Sequence, residues 1–387
     1  MNLSYIQKIV LSLVFILTIV TNSDFSYSEV SVKPYGFLKT SFIGAKNLVN
    51  DYKPFYAKSS VTGNAAYDDK AHYQISTKQS RLGFLVEEGS LSGKFELDFD
   101  GESGNTRGAT ASSTGIIRTR VLELIFKINE ESKISFGKRW DTFAALNPDT
   151  YSVTLVQLNQ GNTGFLTESF EYLHHLGNFD FFVQLETFGD VKAYKVSMPV
   201  PTVRVEHKLN ENQFYGLAYK VGEADSVTSD NTAYKVAFNG LKAYYSAKFS
   251  SFKLSAEVYQ GSNLGVGVIG ASLGKLSSSS VATSFPAGSQ KNIGEYGYYV
   301  SIKKMFEDWS VFAGFGRAEL MSPQDYLSDG DVSTNQASRL GVDKVIQENL
   351  SFFVEMTFIE TGRFLSASNT SPTESGSLLD AGLFYKF

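Results

Sequence analysis

The sequence predicts an all-β fold, a 16-stranded antiparallel transmembrane β-barrel with short turns on one rim and long loops on the other. Three observations carry this. Extended segments of nine or more residues recur with apolar side chains on one parity and polar ones on the other, most clearly at 91–100, where Phe95, Leu97 and Phe99 alternate with Lys94, Glu96, Asp98 and Asp100. Successive side chains of a strand point to opposite faces, so one face must see water and the other something apolar. The connections alternate as well: seven span two to four residues and the eight between them are mostly much longer, whereas a soluble sandwich would mix both kinds on each rim. Finally, the chain ends on a strand whose apolar face (Leu379, Ala381, Leu383, Tyr385, Phe387) is complete to the last residue, where the terminus of a water-soluble domain usually frays.

Composition agrees. The 387 residues include 31 Phe, 21 Tyr, 33 Gly and 8 Pro with 42% hydrophobic side chains, abundant in strand formers and without a helical heptad pattern. A basic start at Lys8, an uncharged and mostly apolar run at 9–20 and a small-residue site before Glu29 read as a secretory signal peptide over 1–28. That run is shorter than the roughly 20 residues a spanning helix needs, and 29–387 offers no second one, so membrane residence has to be as a barrel. With no cysteine, disulfides and thiolate zinc sites are excluded. The formal charge of -5 is mild and its signs are interleaved, which gives no nucleic-acid footprint.

In order, the first strand is read at 31–43, with Pro34 near its start where a ladder tolerates it. The second, 74–87, sets Arg81, Gly83 and Glu87 against Leu82, Phe84 and Val86, then turns at Glu88, Gly89 and Ser90 into 91–100. Strands at 116–128 and 133–143 flank a turn at 129–132. Hairpins follow at 165–175 with 179–188, 201–209 with 213–222, 233–249 with 252–260, 293–306 with 309–318, and 338–346 with 350–361, before the last strand at 375–387. Two places break the alternation. Arg118 and Arg120 share parity with Leu122, Leu124 and Phe126, which predicts a bulge near Arg120 because one extra residue flips every later side chain. Lys138 shares parity with Ile134, Phe136 and Trp140, and its long stem suits it to snorkel at a rim.

Several short motifs add a family resemblance: Tyr35-Gly36-Phe37, the run Ser80 to Phe84, Phe95 to Gly101, Ile117 to Arg120, and Gly137 to Phe143. In this order and spacing they resemble the DcaP-like trimeric porins, within the wider group of 16-stranded Gram-negative porins; the motif-level similarity covers roughly 35–172. Asp380, Gly382, Tyr385 and Phe387 likewise resemble the C-terminal assembly signal of outer-membrane proteins. The resemblance implies a homotrimer of water-filled barrels in the outer membrane, inserted by the barrel assembly machinery. It also implies that the loop at 144–164, carrying Asp149, folds inward as a constriction.

No catalytic constellation emerges. The four histidines lack Ser or Asp at triad spacing, adjacent His174 and His175 point to opposite sides of a strand, and the loop glycines match no phosphate-binding pattern. Neither an enzyme nor a cofactor is implied. A pore asks only for charges on its inner face. Parity places Arg81, Lys94, Arg139 and Arg204 there, with Arg118 and Arg120 if the bulge holds, alongside Glu96, Asp98, Asp141, Glu171 and Glu186. Two functions are left: passive diffusion of small hydrophilic solutes, with the resemblance suggesting a preference for anions such as dicarboxylates, or a surface role as adhesin or structural barrel. The arginines themselves allow two readings, a basic wall facing Asp149 or salt bridges to Asp98, Asp141 and Glu171.

Overall fold

The structure, a computed structural model, describes residues 29–48, 56–58, 70–101, 116–152, 158–187, 198–227, 233–268, 293–323, 327 and 329–387. The region 1–28 read as a signal peptide lies outside the described residues, as do most of the loops at 102–115 and 269–292. Seventeen strand segments form one antiparallel sheet closed on itself. They are β1 (Ser31–Lys46), β2 (Ala71–Ser76), β3 (Arg81–Glu88), β4 (Leu91–Gly101), β5 (Ile116–Lys127), β6 (Ser132–Trp140), β7 (Leu166–Leu176), β8 (Phe179–Thr187) and β9 (Val200–Asn210). There follow β10 (Gln213–Val227), β11 (Ala233–Phe249), β12 (Phe252–Ser262), β13 (Gly294–Met305), β14 (Trp309–Leu320), β15 (Val332–Gln347), β16 (Leu350–Arg363) and β17 (Thr373–Lys386). Because β2 and β3 pair with successive stretches of the same strand β1, they are two halves of one staves-width crossing, and the barrel has sixteen.

The second crossing is therefore not continuous, as its alternation implied, but interrupted at 77–80. The cause is local and chemical. Ser80 Oγ accepts the Lys39 N–H at 3.0 Å and donates to the Lys39 carbonyl at 3.2 Å, so a side chain takes the place of the ladder for one residue of β1. Gln79 is thereby turned onto the Lys39 ammonium. A second departure is at β6, which stops at Trp140, not at Phe143, because the Asp141 carbonyl accepts the Ala144 N–H and its carboxylate the Phe143 N–H, which turns the chain into the barrel.

The bulge lies where the parity conflict put it. Glu96 opposes Val121 and Leu97 opposes Thr119, leaving Arg120 as the extra residue of β5. Arg118 and Arg120 face inward below it while Leu122 and Leu124 are exposed outside. Lys138 lies on the outer face in the last pair of the β5–β6 ladder, opposite Leu122 on one side and Glu168 on the other, close to the long-loop end of β6 at Trp140. The rest of the outer face is apolar and exposed, from Leu38 and Phe42 on β1 to Leu383 and Tyr385 on β17. Stacked pairs such as Phe306 with Trp309 and Phe179 with His207 mark the short-turn rim, as an interfacial girdle does.

Closure is made by β1 with β17, from Phe37 opposite Lys386 to Lys46 opposite Ser377. The Gly36 N–H donates to the Phe387 carbonyl at 3.1 Å and the Phe387 N–H to the Gly36 carbonyl at 3.2 Å, so the chain's last residue is paired and no edge meets lipid. Tyr385 and Phe387 face outward, and their rings lie 6.4 Å apart. Gly382 is required by closeness, since a Cβ there would run into the Thr40 carbonyl. Asp380 points inward.

Candidate functional site

The described residues of this loop, 141–152 and 158–164, lie inside the barrel and touch its opposite wall. At the entrance, Asp141 folds a tight turn, its carboxylate accepting the Phe143 N–H at 2.9 Å while its other oxygen takes Lys220 Nζ at 2.7 Å. Lys220 also donates to Glu186 at 2.7 Å, and neither Lys220 nor Glu186 retains any exposure. Thr142 is held by Gln184 and Glu171, and its carbonyl accepts from Arg204, whose guanidinium stacks 3.7 Å from the Phe182 ring. Phe143 sinks among Ala218, Tyr259, Leu264 and Val268, the last two flanking a single helical turn, α1 (Leu264–Gly267). Lys242 lies over the Phe143 ring and pairs with Glu257 at 2.7 Å.

Beyond this entrance the loop reaches the opposite wall. The Asp149 N–H donates to Ser301 Oγ on β13, and the Asp149 carboxylate accepts Lys253 Nζ of β12 at 3.0 Å. Glu355 of β16 accepts the Thr150 hydroxyl and the Tyr151 N–H. Arg339 of β15 donates to Thr150 Oγ1, and the Tyr151 ring lies flat on Phe353 at 4.3 Å. The Tyr151 carbonyl accepts Lys39 Nζ at 2.7 Å, and that buried ammonium also donates to Gln79 and, at 2.6 Å, to Asp380 across the closing seam. The returning segment, 158–164, lies directly on β13 and β14, where the Gln160 carbonyl occupies the space a Cβ on Gly316 would need. Gly316→Val should therefore lift 158–164 off the wall while leaving the outer face untouched, which faster hydrogen exchange across that segment in a folded protein would register; unchanged exchange would contradict the packing.

Of the arginines singled out by parity, Arg204 stands apart on β9, and Arg81, Arg118, Arg120 and Arg139 form one wall on β3, β5 and β6, held by acids of the same sheet region. Arg118 makes a bidentate pair with Asp98 (3.0 and 2.6 Å), and Arg120 bridges Glu96 at 2.9 Å and Asp98 at 3.2 Å. Arg81 lies 3.7 Å from Glu96 and over the Phe37 ring, Lys94 over the Tyr35 ring, and Arg139 between Glu123 and Glu171 at 2.7 Å from each. Asp149, expected to face this wall, is instead turned to Lys253 on the far side. Arg118 keeps 29% side-chain exposure, Arg81 16% and Arg139 14%, whereas Lys220 and Lys242 beneath the loop keep none. The arginine wall thus keeps contact with solvent, as do Lys253 and Lys303 on β12 and β13. His174 and His175 are separated at the short-turn rim, the first beside Ser132 Oγ at 2.9 Å and the second beside Asp180 at 2.5 Å.

Parity alone passed over Lys39, Lys220, Lys242, Asn335 and Glu355. A lone lysine flanked by Tyr219 and Val221, as Lys220 is, was the available signal for a cation with a buried partner.

A closed barrel of sixteen antiparallel strands with an apolar outer face and a loop folded into its lumen is the fold of the outer-membrane porins. Among solved structures, the chain is similar to the outer membrane channel DcaP of Acinetobacter baumannii, at 16% identity over 92% of this chain and 97% of that one, with a TM-score of 0.69. It is also similar to the anion-selective porin of Comamonas acidovorans (14% identity, 93% and 100% covered, TM-score 0.61). A third is the trimer form of in-vitro folded OmpT of Vibrio cholerae (14%, 92% and 99%, TM-score 0.56). No family model matches the sequence, and no curated protein matches it.

Proposed function

We propose that the protein is an outer-membrane porin through which small hydrophilic solutes diffuse passively, with a preference for anions that includes dicarboxylates. The observation that carries this reading is the wall of Arg81, Arg118 and Arg139, whose guanidinium groups keep solvent access inside a barrel that also holds the lumen loop. With Lys94 and Arg120 it presents five cations against Glu96, Asp98, Glu123 and Glu171, a small positive excess in a narrow space, where local charge and not net charge sets the field. Planar guanidinium forks also suit carboxylates. Support for association of three copies comes from the fold shared with an outer membrane protein described in a trimer form, and the C-terminal strand with Phe387 is the part the barrel assembly machinery would engage.

Reversal potentials in a salt gradient test the selectivity. Arg118→Gln with Arg139→Gln should move the ion preference toward cations, because Asp98, Glu123 and Glu171 are released, and should weaken block by dicarboxylates. An unchanged preference would show that the wall is not the filter. A barrel that shows no conductance and no liposome swelling with any solute would instead have a surface role.

A further inference from the structure

We propose that Thr361 and Asn335, directly opposed on β16 and β15, form a clamp that holds the 56–58 segment of the first loop, between β1 and β2, and the 158–164 segment of the lumen loop to one another and so sets the width of the long-loop mouth. This rests on the porin reading. The described part of the first loop lies in the mouth: Leu48 and Ala57 are fully buried and bridge one another, and Tyr56 packs against Ala318, Leu320 and Val332 on β14 and β15. Its backbone then enters a chain of three hydrogen bonds. The Ala57 N–H donates to Thr361 Oγ1 at 2.9 Å, the Thr361 hydroxyl to Asn335 Oδ1 at 2.8 Å, and Asn335 Nδ2 to the Asn159 carbonyl at 2.9 Å.

Donor and acceptor roles run in one direction through all three bonds, so the chain is self-consistent and mutually polarising. Thr361 and Asn335 have no exposure, and buried polar groups at this position need partners such as the loop backbones they satisfy. Arg363 adds a second hold on the first loop, donating to the Ala57 carbonyl at 2.9 Å. On the other side, Asn159 immediately precedes the segment pressed onto Gly316, so a displacement of the first loop is passed to the part of the lumen loop that lies on the wall. The two residues are positioning residues for the passage and touch no solute.

The test uses the full chain in planar bilayers and in liposomes with graded sugars, with two variants that break the chain at different points. Thr361→Val removes the hydroxyl at constant shape; Ala57→Pro removes the loop N–H without altering a strand. Both are expected to raise the size cut-off and add current fluctuations at parental heat-modifiability, the double variant no more than either single one, while Thr361→Ser restores parental behaviour. Hydrogen exchange across 158–164, which Ala57 does not touch, should rise about fivefold in Ala57→Pro, the scale of one lost hydrogen bond. Unchanged exchange there overturns the clamp, whether or not the parent conducts and whether or not Thr361→Val folds. A parent that fails to conduct overturns only the porin reading, and independent additive effects of the two variants overturn the coupling.

Discussion

Replacing Lys220 with methionine is expected to cost the folded barrel about 3–5 kcal/mol, because it strands the carboxylates of Asp141 and Glu186 in a place water does not reach. The loss has two parts. The wall of β8 and β10 loses the cation between its acids, and the turn that sends the chain into the lumen loses the group that fixes the Asp141 carboxylate, one oxygen of which holds the Phe143 N–H. Heat-modifiability on gels should show a clearly lower unfolding midpoint, and adding Glu186→Gln should recover part of it by removing one stranded charge. An unchanged midpoint in Lys220→Met would mean that water enters this site and that the lumen loop does not close over it.

The second large effect is expected at Lys39. Its ammonium is buried against Asp380, Gln79 and the Tyr151 carbonyl, so Lys39→Met leaves Asp380 as an unpaired charge on the closing seam, again about 3–5 kcal/mol. Unlike Lys220, it joins three parts of the molecule that share no local sequence: the seam, the interruption at 77–80 and the lumen loop. Lys39→Met combined with Asp380→Leu should therefore recover the unfolding midpoint, since an apolar pair can replace a buried ion pair, yet leave the Tyr151 end of the loop loose, with noisier currents than the parent. Quiet currents in that folded double variant would show that Glu355 and Phe353 alone suffice to seat Tyr151.

Period-two alternation made most of the barrel legible, and where alternation failed at Arg120 the failure itself located the bulge. The interruption at 77–80 was not legible, because Ser80 leaves the ladder for a partner on β1, and nothing between 74 and 87 names that partner. The site divides in the same way. Parity says which side of the wall Arg118 or Lys220 occupies, but the acid each one meets depends on register with a neighbouring strand and on a loop overhead. Asp149 shows the limit most plainly: its partner Lys253 lies 104 positions away on a strand nearly across the barrel.

The seating of the lumen loop also has a consequence for the order of events during folding. Its contacts with Lys39, Glu355 and Asn335 span 112, 204 and 176 positions of sequence, and the seam contact of Lys39 with Asp380 spans 341. Contacts of such separation form late, since the intervening chain must first be ordered. Strands β12 to β17 have to be in place before 149–152 and 158–164 have a surface to rest on, so the nascent barrel passes through a stage in which its hairpins are paired and these segments are not yet seated. Seating of the loop comes last in this order, and a chain arrested before β17 joins β1 would have both an unpaired edge and an unanchored loop at its centre.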